Sequence, residues 1–253
     1  MIRRLADRDV VAQPPGWLLI NQIEHARISA EIAACLPEQT PIDALVVRII
    51  RHHDDGWLSS DEKPAFDHTS GRPFDFREMP SQSKNQIWSR SIEDMVQLGP
   101  LAQFLVSRHF LRLRQTVDGP NVSAAHREFA LRFQGQSERW LADWQALDSV
   151  ANSEQEALDQ LAKLQWSDDW SLWLCCAERK HPWQSTDHQG RNICLMPNDS
   201  PRVFRVDPWP FGVDKLVCQV STRFLPVSDY ADTLAMQEAL VDDISLSWVL
   251  FPR

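Results

Sequence analysis

Positive charge is scarce in this chain. Its 253 residues carry 26 Lys and Arg against 35 Asp and Glu, a formal charge of −9. Neutralising a phosphate backbone needs a basic face. A general nucleic-acid-binding role is therefore excluded, although a local basic pocket is not. No Cys-x-x-Cys pair exists. Cys35, Cys175, Cys176, Cys194 and Cys218 are odd in number, and three of them fall within apolar periodic runs. That pattern fits reduced, buried thiols and not a disulfide framework. No apolar run approaches the ~20 residues that a membrane span requires. Arg3 and Arg4 are followed by no apolar stretch of the kind a signal peptide carries. Internal repeats and low-complexity segments are missing too. These absences together lead us to expect a soluble, cytoplasmic protein with no membrane and no nucleic acid among its partners.

What is present is an ordinary globular composition, 43% hydrophobic and 24% charged, with chain enough for a sizeable core. Eleven tryptophans are many. Trp140, Trp144, Trp166, Trp170 and Trp173 recur at helical spacing and read as a core stripe.

The chain opens with an extended stretch and a turn at Pro14-Pro15-Gly16. Trp17-Leu18-Leu19-Ile20 then leads into a first helix. Asn21 is a plausible N-cap, with Glu24 three residues on as its capping-box partner. The helix runs to about Leu36, and His25 shares its inward face with Ile28 and Ile32. A second helix starts near Pro41 and carries Leu45/Val46, Ile49/Ile50 and His53 inward. Asp54 follows about 100° round the helix, and Gly56 suits a helix terminator. Residues 58–83 read as a long polar loop, a lid or rim over a site. Helices are expected at about 84–97, 100–115, 123–146 and 153–179, with a break at Asp118-Gly119-Pro120. His109 lies on the inner face of the second of these. In the last, Asp169 is in phase with Ala162, Gln165 and Leu172. An inward carboxylate is costly unless it is paired or metal-bound. After His181-Pro182, strands are expected at 202–206, 216–224 and 244–251, with a short helix at about 229–241.

Four helices thus each present polar candidates inward: His25, the His53-Asp54 pair, His109 and Asp169. Imidazole and carboxylate suit Zn, Fe, Mn or Ni. Each residue also has a plainer reading. A lone inward His is more often a hydrogen-bonded core residue, and an inward Asp can pair with Arg108, Arg112 or Arg179. Asp168 is the neighbouring alternative to Asp169. His126 is a candidate for a second ion, although a surface helix position is the plainer reading. His52 reads as support or packing, and His68, His181 and His188 as solvated loop residues.

The order His25, His53-Asp54-Asp55-Gly56, then Asp169, resembles the HD superfamily of metal-dependent phosphohydrolases over roughly residues 17–180. His109 matches the extra His of members that bind two metals. Where relatives often carry a phosphate-contacting Lys, this chain has Trp57. More closely, the chain looks like the bacterial family called domain of unknown function 3891. The carrying residues are Trp17-Leu18-Leu19-Ile20, His53-Asp54-Asp55-Gly56-Trp57, Gly71-Arg72-Pro73, Asp169-Trp170-Ser171-Leu172 and Pro208-Trp209-Pro210-Phe211. The resemblance implies a mainly α fold: an HD-like helical bundle over 1–185 with a small antiparallel β appendage over 186–253.

It also implies one or two divalent transition metals (Fe, Mn, Zn or Ni) on His25, His53, Asp54, His109 and Asp169. Asp54 could bridge two ions, and Asp55, or Asp75 from the loop, could act as general base. The leading reading is a metal-dependent hydrolase acting on a small, phosphorylated molecule. The alternatives are an HD-type di-iron oxygenase and a non-catalytic binding module.

Overall fold

The computed structural model describes residues 1–6, 15–117, 124–176 and 181–253, apart from the side chains of 115–117 and 242–243. Outside them lie Pro14, the break at Asp118-Gly119-Pro120, the expected helix start at Ser123, and Arg179 with the expected end of the last long helix. The fold is 50% helix and 21% strand. Among the described residues its sheet is a curled half-barrel of seven strands. This corrects the expected mainly α bundle with a small β appendage.

The sheet draws on both ends of the chain. β1 (Ile2–Leu5) pairs antiparallel with β2 (Gly16–Ile20), Ile2 opposite Ile20. β2 in turn pairs with β8 (Leu216–Pro226), Leu18 opposite Phe224. The remaining strands are β5 (Trp183–Thr186), β6 (Asn192–Pro197), β7 (Val203–Asp207) and β9 (Val241–Pro252). The order is β1-β2-β8-β9-β7-β6-β5, antiparallel except where β7 lies beside β9. A cut near residue 185 therefore does not divide a helical unit at 1–185 from a strand unit at 186–253. β2 escaped the pattern reading because Leu18, Leu19 and Ile20 are all buried. A short strand covered on both faces shows an apolar run and no alternation. β8 does alternate, with Leu216, Cys218, Val220 and Thr222 buried and the residues between them exposed.

Two helices form a wall between two cores. α1 (Gln22–Ala34) sends Ile28 and Ile32 into a core shared with the sheet residues Leu18, Val220 and Leu246. Its Ala30 and Ala33 face a second, helical core with Val46 and Ile49 of α2 (Ala44–His52). α7 (Glu154–Cys176) behaves likewise. Trp166, Trp170 and Trp173 pack toward the sheet, while Ala157, Leu161 and Leu164 pack toward the helices. Each large side chain buried this way contributes roughly 1.5–3 kcal/mol. α4 (Ser81–Asp94), α5 (Pro100–Val117) and α6 (Ala124–Leu147) complete the helical side. No helix among the described residues is long and apolar enough to cross a membrane.

Several local expectations change. Asn21 caps α1 by position only: its side chain makes no cap bond and instead accepts from Arg223 at 3.0 Å. α2 starts at Ala44, where the Asp43 carboxylate accepts from the Leu45 amide at 2.6 Å. Gly56 lies in a tight turn, Asp55–Trp57, and does not terminate a helix. Its role is close approach, since a Cβ there would stand 2.2 Å from the Ile87 carbonyl oxygen of α4.

The 58–83 segment is not one open loop. It holds α3 (Leu58–Glu62) and a two-residue hairpin of β3 (Phe66–Asp67) and β4 (Arg72–Pro73). It is also tied to β1. The Arg3 amide donates to Asp75 at 3.0 Å, and the Arg3 guanidinium grips Glu78 through two bonds of 2.9 Å. α8 (Thr233–Glu238) is the expected short C-terminal helix.

Candidate metal centre

The wall helices and their neighbours bring five side chains to one buried point. His25 comes from α1. His53 is the C-cap residue of α2, and Asp54 follows it in the turn. His109 comes from α5 and Asp168 from α7. All five are at most 4% exposed. His25 Nε2 lies 3.3 Å from Asp54 Oδ2 and 3.0 Å from Asp168 Oδ1. His53 Nε2 lies 3.2 Å from Asp168 Oδ1 and 3.7 Å from Asp54 Oδ2. His109 Nε2 is 3.6 Å from Asp168 Oδ2. The three rings stand nearly perpendicular in sequence, His25 to His53 at 5.6 Å and His53 to His109 at 5.3 Å between centroids.

Neighbouring groups fix which nitrogen faces inward. The Ile50 carbonyl can only accept, so His53 Nδ1, 2.7 Å away, carries a proton and Nε2 points to the cluster. His25 Nδ1 is 2.6 Å from Ser171 Oγ, and Ser171 donates to the Asp168 carbonyl at 2.9 Å. Ser29 Oγ adds a contact of 2.6 Å to the same hydroxyl. Ser29 and Ser171 carried no signal of their own. They are found one helical turn from His25 and Asp168 once those two are placed.

The electrostatics follow from packing two carboxylates against three imidazoles away from water. Burial pushes the His25 imidazole down, but hydrogen bonds and charge from Asp168 and Asp54 outweigh it and hold it at about 9. His53 is raised too, burial being overcome by Asp54 and Asp168. His109 is pushed down to about 4 by its burial. Asp168 is held well below the usual carboxylate range: burial opposes ionisation, but the charges of His109 and His25 prevail. Among the described residues, His53 Nε2, both His109 nitrogens and Asp168 Oδ2 are buried without a hydrogen-bond partner. Buried polar atoms normally find partners. Two groups, His25–His53–Asp54 and His53–His109–Asp168, each present ligand atoms within 4.8 Å of one another, so each could hold a metal ion. The donor set fits a divalent transition metal.

Asp169 is placed elsewhere. It is 45% exposed and pairs with Arg112 of α5 at 3.1 Å. Helical phase does not single out Asp168 because α7 is covered on two sides. Leu161 and Leu164 face the helical core, Asp168 and Ser171 face His25 of α1, Trp166, Trp170, Trp173 and Cys175 face the sheet, and Ala162, Gln165, Asp169 and Leu172 are the half-exposed remainder.

The other candidates disperse as well. Asp55 pairs with His52 Nδ1 at 2.9 Å and is not among the converging residues. Asp75 is buried against the Arg3 amide and Arg77, with its carboxylate already engaged. Trp57 is 1% exposed and belongs to the helical core. His126 is buried on α6 beside Arg108 and Arg112, away from the His/Asp groups. His188 packs on Trp166 instead of standing in solvent.

A family model described as "Protein of unknown function (DUF3891)" matches residues 10–227. No curated protein and no solved structure matches the chain.

Proposed function

We propose, from the premise that the chain belongs to the DUF3891 family of proteins of unknown function, that it is a metal-dependent hydrolase of the HD type, acting on a small phosphorylated molecule. The observation that supports this reading is the convergence of three imidazoles and two carboxylates from four helices and their ends on one buried point. In this reading His25, His53, Asp54 and Asp168 hold the ion, and His109 completes the set where a second is present. When bound, such an ion acidifies a water and polarises a phosphoryl oxygen.

The chain's own residues prepare that chemistry. The Ile50 carbonyl and the Ser171 hydroxyl aim Nε2 of His53 and His25 inward. Phe110, with its ring 5.3 Å from that of His109 and 6.5 Å from that of His53, keeps that side apolar.

The test is elemental analysis of protein purified without a His-tag, beside Asp54→Ala and Asp168→Ala. Near-stoichiometric Fe, Mn, Zn or Ni in the parent, lost in both variants together with phosphomonoester hydrolysis, is the expected result. No metal in the parent, even after reconstitution, would sink the reading. Two irons per chain with an optical band would move it to an oxygenase.

A further inference from the structure

One face round α5 from His109, a cavity of about 570 Å³ opens between α5, α6 and α7. That volume is in the range of pockets for small molecules, ~300–1,000 Å³. Four guanidinium groups line it, those of Arg108, Arg112, Arg114 and Arg127, with His126 beside them. No carboxylate is among the described lining residues. This is a concentration of one sign in a chain whose formal charge is −9. A concave wall of low dielectric focuses such a field.

The four arginines are not alike. Arg114 is buried, donates to Asn85 at 2.8 Å and lies over the rings of Trp88 and Phe129, which stiffen it. Arg112 holds Asp169 at the cavity's edge. Arg127 lines the cavity from α6 and is exposed. Arg108 is half-buried, yet makes no hydrogen bond or ion pair among the described residues. Half-burying a guanidinium without an anion costs free energy that a structural role would not require. The planar fork of Arg matches phosphate oxygens in pairs.

Chain position ties the cavity to the metal centre. Arg108 adjoins His109, and Arg112 follows His109 by less than one helical turn. Across the cavity, Gln165 precedes Asp168 by three residues on α7.

We propose that this cavity is the anion subsite of the chain's substrate and takes an oligophosphate group with at least two negative charges. The word substrate rests on the hydrolase reading above; the anion site does not.

Inorganic pyrophosphate is the probe, titrated calorimetrically into the full chain with and without prior chelation of metals, alongside elemental analysis of the same samples. The parent protein binds it, and Arg108→Gln and Arg127→Gln each weaken binding at least about tenfold. Arg51→Gln, an exposed arginine of α2 outside the cavity, leaves it unchanged. Thermal melts of all three variants match the parent. No binding by the parent, or binding by both cavity variants as tight as the parent's, overturns the proposal. Arginine-dependent binding in protein that takes up no metal keeps the anion site and removes the hydrolase reading. Stoichiometric metal with arginine-independent binding does the reverse.

Discussion

His53 Nε2 faces Asp168 Oδ1 at 3.2 Å, and the nitrogen's direction is set from behind by the Ile50 carbonyl at 2.7 Å from Nδ1. This one relationship joins the end of α2 to the middle of α7. It also explains why two adjacent aspartates of α7 have different fates.

Asp168→Asn and Asp169→Asn should therefore separate cleanly. The first removes a carboxylate shared by three imidazoles and is expected to lower metal affinity by well over about tenfold. The second cuts only the half-exposed pair with Arg112, and metal affinity should stay within about threefold. Competition titration with a chromophoric chelator measures both, and equal losses would contradict the placement of Asp168. Where metal binds the native state alone, chelation should also lower the melting temperature of the parent more than that of Asp168→Asn.

Ser171→Ala tests the orientation of His25. The variant keeps every proposed ligand but loses the hydroxyl 2.6 Å from His25 Nδ1. Outer partners of metal-binding imidazoles are typically worth about 10–100-fold in affinity. A loss in that range is expected, with Ser171→Thr recovering part of it. An unchanged metal Kd in Ser171→Ala would show that the imidazole does not depend on this contact.

Gly56→Ala should destabilise the fold. The new Cβ would meet the Ile87 carbonyl oxygen at 2.2 Å and Ser91 Oγ at 2.6 Å. The Gly56 amide also donates to that hydroxyl at 3.0 Å. Backbone must shift to admit the methyl group, at a cost of about 1–3 kcal/mol. Urea denaturation reads this as a lower midpoint with an unchanged slope. A midpoint equal to that of the parent would refute the close packing of the turn on α4.

Asp75 gives a pH dependence whose sign is fixed. Burial opposes its ionisation, but the hydrogen bonds from Arg77 and the Arg3 amide hold its carboxyl below the ordinary value. Its folded pKa is thus lower than its unfolded one, about 3.9. The ionised form contributes stability that is fully present above about pH 4 and is lost as pH falls through the folded value. Arg77 is 57% exposed, so solvent screens much of the pair. Asp75→Asn is expected to cost about 1–2 kcal/mol at neutral pH. It should also flatten the acid limb of a plot of melting temperature against pH. An acid limb identical to that of the parent would rule Asp75 out as a contributor.

Sequence pattern alone determined the long helices and most of the cluster. α1, α5 and α6 were legible because each carries its large apolar residues at helical spacing, α1 with Ile28 and Ile32 beside His25. His25, His53 and His109 could be named because each stands on such a face, and Asp54 because it follows His53 directly. The tertiary structure alone decided three things. β2 joins β8, about 200 residues further along the chain (Ile20 opposite Thr222), a pairing no local period can show. Asp168 replaces Asp169 because α7 is buried against both the sheet and the helices, and two-sided burial removes the periodicity that would have distinguished them. The basic cavity exists because arginines from α5 and α6, scattered in an acidic chain, are brought onto one concave wall by helix packing. Local pattern records which face of an element is apolar. It does not record how many neighbours that element has, or which distant side chains those neighbours bring.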